Sequence, residues 1–89
     1  MITVDFAPSI QRHKTVAAQS VSDGTLAQVL DAACSATIGL RHYILDDQGA
    51  IRKHVAVFVN QEMHLPRDDL SRMLRAGDKV LVIQCLTGG

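Results

Sequence analysis

The chain of 89 residues closes on Leu86-Thr87-Gly88-Gly89, directly after the apolar run Val80-Leu81-Val82-Ile83-Gln84-Cys85-Leu86. A strand that stops in two glycines gains nothing from them for folding. Glycine loses the most conformational freedom on ordering and offers no packing surface. The same two residues make a thin lead, and a main-chain carboxylate on such a lead can enter a channel too narrow for side chains. The reactive group read from this pattern is the Gly89 carboxylate, carried with Gly88 into the active site of another protein. The alternative is an incidental terminus that does no chemistry.

Nothing else in the chain competes for that role. Catalysis needs convergent groups: a nucleophile beside a base, paired carboxylates or a metal cage. His13, His42, His54 and His64 are scattered without metal-ligand spacing, so no metal site is expected. No glycine-rich phosphate loop is present, and Asp46-Asp47 reads as turn chemistry rather than a catalytic dyad. Cys34 and Cys85, the two cysteines, make no disulfide framework. Cys34 falls on an apolar helical stripe and reads as a buried, inert thiol. Cys85 is either an ordinary strand residue or an exposed thiol near the tail. The formal net charge of zero removes the electrostatic case for nucleic acid. Tyr43, Phe6 and Phe58 as the only aromatics remove base-stacking platforms as well. The start, Met1-Ile2-Thr3-Val4-Asp5-Phe6, has no basic region followed by an apolar stretch. No apolar run approaches the ~20 residues of a membrane span. The expectation is a non-enzymatic, cytoplasmic protein with no bound cofactor.

The elements that must position the tail follow from periodicity. Met1 to Phe6 alternates as a strand. Pro8-Ser9 marks an exit, and His13 to Val21 is a weaker strand that pairs antiparallel with the first. Ser22-Asp23-Gly24 is a turn. Thr25 then caps a helix, with Gln28 completing a capping box. Leu26, Val29, Leu30, Ala33 and Cys34 form its apolar stripe, and Gly39 suits its C-terminal end. Leu40 to Leu45 reads as a strand, Asp46 to Gly49 as a turn, and Ile51 to Asn60 as a longer strand. Leu65-Pro66 breaks the pattern, Asp69 to Leu74 reads as a short helical turn, and Ala76-Gly77-Asp78 turns into the last strand. Arg67, Arg72 and Arg75 read as a solvated face.

This order predicts an α+β fold of the β-grasp (ubiquitin-like) type, a mixed four- to five-stranded sheet with one main helix on one face. The expected domain covers residues 1–86, with 87–89 as tail. In a β-grasp the last strand runs centrally and parallel to the first. With Val80 and Val82 toward the helix, Leu81 and Ile83 fall on the open face, and Phe58 joins them if Val55, Val57 and Val59 make the core face. An exposed apolar patch beside the tail marks a partner site. Phe58, Leu81, Ile83, Leu86 and Thr87 are the residues expected to meet that partner. The alternative is that loops cover them.

The stretch Arg41-His42-Tyr43-Ile44-Leu45-Asp46-Asp47-Gln48-Gly49, the strand Val55-Ala56-Val57-Phe58-Val59-Asn60, the turn Ala76-Gly77-Asp78-Lys79-Val80 and the Gly88-Gly89 end resemble the MoaD/ThiS sulfur carriers. The resemblance runs from about Thr25 onward. Within the family it is nearest to carriers serving cysteine or related sulfur-metabolite synthesis. It implies that an ATP-dependent adenylating enzyme converts the Gly89 carboxylate to an acyl-adenylate. A sulfur donor then leaves a thiocarboxylate, and a client synthase takes the sulfur for a metabolite such as cysteine, thiamine or molybdopterin. ATP and Mg would belong to the partner enzyme. The chain departs from the pattern at Gln61, where many members have glycine in the tight turn. It departs again at Gln84-Cys85-Leu86-Thr87, where many carry prolines or small residues, so the resemblance does not name the pathway. Three other roles stay open: the small subunit of molybdopterin synthase, a protein modifier joined to lysines through Gly89, and an interaction module with an inert tail.

Overall fold

Alternation along Ile2–Phe6 puts Ile2, Val4 and Phe6 into the interior and leaves Thr3 and Asp5 outside, and these five residues form β1. The computed structural model describes residues 1–8, 10 and 16–85. β1 pairs antiparallel with β2 (Gln19–Val21), Val4 lying opposite Gln19. The second strand is thus shorter than expected. Val16 to Ala18 are described but unpaired as strand, and residues 13–15 lie outside the described set.

β3 (Gly24–Thr25) leads into α1 (Leu26–Cys34). The predicted capping box is formed: the Gln28 N–H donates to Thr25 Oγ1 (3.2 Å), and the Thr25 N–H donates to Gln28 Oε1 (2.9 Å). The first two helical amides are also satisfied, Leu26 donating to the Arg72 carbonyl (2.8 Å) and Ala27 to that of Leu70 (3.0 Å). The predicted stripe is the buried face, with Leu26, Val29 and Leu30 completely enclosed. Each such side chain contributes about 1.5–3 kcal/mol of burial.

Several expectations fail here, each for a local reason. Leu40–Ile44 is a short helix, α2, not a strand. Gly39 adopts φ 82° and opens α2 rather than closing α1, which ends at Ser35. Leu40 and Ile44, one helical turn apart, are both buried, and Arg41 Nε meets Asp31 Oδ1 at 2.7 Å, tying α2 to α1. Six residues are too few for periodicity to separate the two states. β4 covers Val55–Val59 rather than starting at Ile51. Ile51 keeps only an isolated bridge to Leu45 and donates its N–H to the Arg67 carbonyl (2.9 Å). The Arg67 guanidinium donates to the carbonyls of Arg52 (2.6 Å) and Val55 (2.5 Å), so Arg67 is a half-buried strut and not part of a solvated face. The expected helical turn at 69–74 is absent. Met73–Leu74 instead forms β6, paired antiparallel with β3.

β5 (Glu62–Met63) and β7 (Lys79–Gln84) complete a five-stranded sheet in the order β2-β1-β7-β4-β5. β7 is central, parallel to β1 (Val4 opposite Val80) and antiparallel to β4 (Val57 opposite Val82), as predicted. Val80, Val82, Val55, Val57 and Val59 join β1, α1 and α2 in one core. Both helices among the described residues therefore cover the same face of the sheet.

The β4–β5 turn forms despite lacking glycine. Asn60 (φ 51°) and Gln61 (φ 73°) both take left-handed conformations, as a two-residue hairpin of the I′ kind demands. Asn60 is compensated: its Nδ2 donates to Asp78 Oδ1 (3.0 Å) and its Oδ1 accepts from the Lys79 N–H (2.9 Å). Gln61 stands exposed at the turn's second position, where glycine carries no left-handed penalty. Gln61→Gly is therefore expected to stabilise the fold by about 1 kcal/mol, raising the midpoint of thermal unfolding by roughly 4–8 °C. Thermal denaturation of the two proteins checks this, and an unchanged or lower midpoint would contradict it.

Candidate functional site

The face of the sheet opposite the helices carries the odd-numbered residues of β7. Leu81 is 39% exposed, and Ile83 and Phe58 are partly exposed. Phe58 lies directly opposite Leu81 on the β4–β7 ladder, and Ala56 opposite Ile83. On the outer side of β4, Phe58 also faces Met63, itself 44% exposed. Phe58, Leu81 and Ile83 line one groove of about 710 Å³, rimmed by Asp5, Asn60, Gln61 and Lys79. The predicted grouping of Phe58, Leu81 and Ile83 on one open face is what the register produces. Met63 was missed because a two-residue strand leaves no period to read.

At the far end of β7 the described chain is held by two hydrogen bonds, whose partners also meet each other. The Tyr43 hydroxyl donates to Gln84 Oε1 (2.5 Å). The Cys85 N–H donates to the His54 carbonyl (2.7 Å). The rings of Tyr43 and His54 meet edge to face, centroids 5.6 Å apart at 81°. Neither Tyr43 nor His54 stood out in the sequence, because Tyr43 belongs to α2, which was read as a strand. Leu86, Thr87, Gly88 and Gly89, the remaining predicted site residues, lie outside the described residues.

His64, Asp46, Asp78 and Cys34 are taken up by the fold. His64 is buried with its Nε2 at 2.7 Å from the Asp69 carbonyl oxygen, a satisfied core histidine. Among the described residues, no group of three or more His, Cys, Asp or Glu side chains could hold a metal ion. No described helix is long and apolar enough to cross a membrane. Asp46 Oδ1 accepts from the N–H groups of Gln48 (2.9 Å) and Ala50 (3.0 Å), which is turn chemistry. The Asp78 carboxyl is held below the usual carboxylate range by the Arg75 N–H, then by the Asn60 amide, and so braces the turn into β7. Burial pushes the Cys34 thiol up to about 11, with Asp31 adding to the rise and Arg41 opposing it.

With this geometry in hand, comparison with known proteins is informative. The family model for the ThiS family matches residues 8–89. Among solved structures, the chain is similar to one from the Amycolatopsis orientalis BexX/CysO complex, at 21% identity over 100% of both chains with a TM-score of 0.80. It is similar to Mycobacterium tuberculosis CysO at 21% identity, covering 97% of this chain and 100% of that one, TM-score 0.78. Haloferax volcanii SAMP1 matches at 22% identity over 99% and 98% of the two chains, TM-score 0.76. These likenesses establish the β-grasp fold. No curated protein gives a significant sequence match.

The Cys34 environment has a consequence for stability. A thiol whose folded pKa is raised from 9.0 to about 11 favours the folded state fully below pH 9.0 and loses that contribution as pH climbs toward 11. Denaturant unfolding from pH 8 to 11 should show a falling midpoint that flattens in Cys34→Ala. In the native protein a thiol reagent should modify the half-buried Cys85 and spare Cys34. Equal labelling of both thiols would contradict the buried assignment.

Proposed function

Because this chain belongs to the ThiS family of ubiquitin-like sulfur carriers, we propose that it transports sulfur as a thiocarboxylate on Gly89 and docks on its enzymes through the open face of the sheet. The observation that carries this reading is the double role of β7. The strand that exposes Leu81 and Ile83 on the open face is also the one that runs toward Gly88-Gly89.

A carboxylate is a poor electrophile, so activation comes first. A Gly89 carboxylate oxygen attacks the α-phosphorus of ATP on a partner adenylating enzyme, pyrophosphate leaves, and a mixed anhydride forms. A sulfur donor then attacks the acyl carbon, AMP departs with its bonding electrons, and a thiocarboxylate remains. The client synthase takes the sulfur, water supplies the replacement oxygen, and the carboxylate returns. ATP and Mg²⁺ act as substrate and cofactor of the adenylating enzyme, in the cytoplasm. This chain contributes the acyl group and the docking surface and performs no catalysis itself.

The groove suits such a partner. Its floor of Phe58, Leu81 and Ile83 offers apolar area to bury, while Asp5 and Lys79 at the rim supply one charge of each sign. A polar rim around an apolar centre is the anatomy of a protein interface. In Amycolatopsis orientalis, CysO forms a complex with BexX, so a protein of similar fold does assemble with a partner. Conjugation of Gly89 to lysine amines would instead yield a higher-mass ladder dependent on Gly88-Gly89. A molybdopterin synthase subunit would co-purify with a large partner subunit.

The deciding measurement is intact mass after incubation with ATP, Mg²⁺, the cognate adenylating enzyme and sulfide. Exchange of one oxygen for one sulfur, localised to Gly89 and lost on deletion of Gly88-Gly89, is the expected result. No exchange with an enzyme competent on its own carrier would refute the proposal. For docking, Leu81→Thr is expected to preserve folding, because a β-branched residue suits a strand. It should raise the KM of the adenylating enzyme for the carrier by about tenfold, the loss of ~1.4 kcal/mol of apolar burial.

A further inference from the structure

The end of β7 presents a problem that the groove does not. β1 pairs with β7 only as far as Phe6 opposite Val82, with the Ala7 N–H closing on the Val82 carbonyl (2.9 Å). Beyond Val82, β4 is the one paired neighbour among the described residues, and its ladder finishes at Val55 opposite Gln84. A strand paired on one side at its last residues is prone to fray. Yet this is the segment from which the tail departs. Four residues follow Cys85, so Gly89 can lie at most about 14 Å beyond it when that stretch is fully extended. A lead this short tolerates little uncertainty at its root.

The fold answers with a side chain that comes from α2, 41 positions earlier in the chain. Tyr43 packs partly buried against the core and donates its hydroxyl to Gln84 Oε1. Its ring meets the edge of His54, the residue whose carbonyl takes the Cys85 N–H. Tyr43 thus touches Gln84 directly and His54, the partner of the Cys85 N–H, through its ring. Gln84 alternates with Leu81 and Ile83, so this cluster lies on the covered face of the sheet, opposite the groove.

We infer that Tyr43 is a positioning residue for the reaction at Gly89. Acting through Gln84, it fixes the root of the tail so that the carboxylate reaches the partner's adenylating centre while the open face is docked. The inference rests on the carrier reading above, and it separates two functions of β7 by face. The open face sets how tightly the partner binds, and the covered end sets how often the docked tail is productively placed.

Tyr43→Phe removes the hydroxyl and keeps the ring against the core and His54. Two readouts test it. Hydrogen exchange of the Cys85 amide, measured well below the unfolding midpoint, should quicken about five- to tenfold, the scale of one net hydrogen bond. Amides in the middle of β1 and α1 should remain unchanged. In ATP–pyrophosphate exchange with the cognate adenylating enzyme, kcat should fall about five- to tenfold with KM unchanged, the pattern of an interaction lost after docking. Gln84→Leu should reproduce both effects, and the double variant should be no worse than either single one. A purely structural tyrosine would quicken exchange across the whole core and leave kcat intact, and that result overturns the inference. Additive effects of the two substitutions, or wild-type exchange at Cys85, overturn it equally. If the wild-type chain is not adenylated at all, the carrier reading fails and the positioning role with it, while Cys85 exchange still reports whether Tyr43 clamps the strand end.

Discussion

The pairing of β7 on both sides, parallel to β1 and antiparallel to β4, is the constraint on which the rest depends. A central strand has its main-chain groups committed to neighbours along most of its length, so neither edge is available for other purposes. Its two faces are what remain. α1 and α2 both pack over the face holding Val80 and Val82, where the buried stripe of α1 and the pair Leu40 and Ile44 join the strand valines in one core. The opposite face receives no helix among the described residues. Phe58, Leu81 and Met63 stay accessible as a geometric consequence of the element order, and the family's use of this fold as a carrier turns that consequence into a surface of interest.

Outside α2 and the short strands, the connections within residues 40–74 are held by hydrogen bonds to main-chain carbonyls. Arg67 braces the carbonyls of Arg52 and Val55, and Arg52 Nε donates to the His42 carbonyl (2.6 Å). His64 takes the Asp69 carbonyl, and the first amides of α1 take those of Leu70 and Arg72. Where such a group is buried, leaving it without a partner would cost roughly 1–3 kcal/mol. No buried side-chain nitrogen or oxygen among the described residues lacks a partner. This economy explains why so short a chain tolerates long stretches outside helix and sheet.

What could be read from the sequence divides along the same line. β1, α1 with its capping box, the face division of β7 and the Asp46 turn were legible, because each is decided by a local signal: alternation, a stripe, a cap, a side-chain-to-backbone turn. Leu40–Ile44, the start of β4 and Met73–Leu74 were not, because long-range partners decide them. Leu40 and Ile44 are helical since α1 is there to cover them. Ile51 leaves the strand since Arg67, 16 positions on, supplies its acceptor. Arg67 itself looked like a solvated cation because nothing in its neighbours announces two carbonyls waiting for it. Of the open face, Phe58, Leu81 and Ile83 were legible from alternation, whereas Tyr43 and His54 at the strand end required the fold.

The period of two then assigns the work of β7 without overlap. A residue that packs in the core cannot also face outward, so the Val80 and Val82 side of the strand serves stability, and the Leu81 and Ile83 side is left for the recognition proposed above. The division changes past Val82, where β1 pairing has ended and the β4 ladder is joined by a side-chain contact. There the covered face still has α2 above it, and a phenol from α2 reaches a glutamine rather than an aliphatic side chain. A hydrogen bond fixes direction where apolar contact fixes only proximity. In the proposed carrier role, direction at the end of β7 is what a docked partner would require of the segment leading to Gly89.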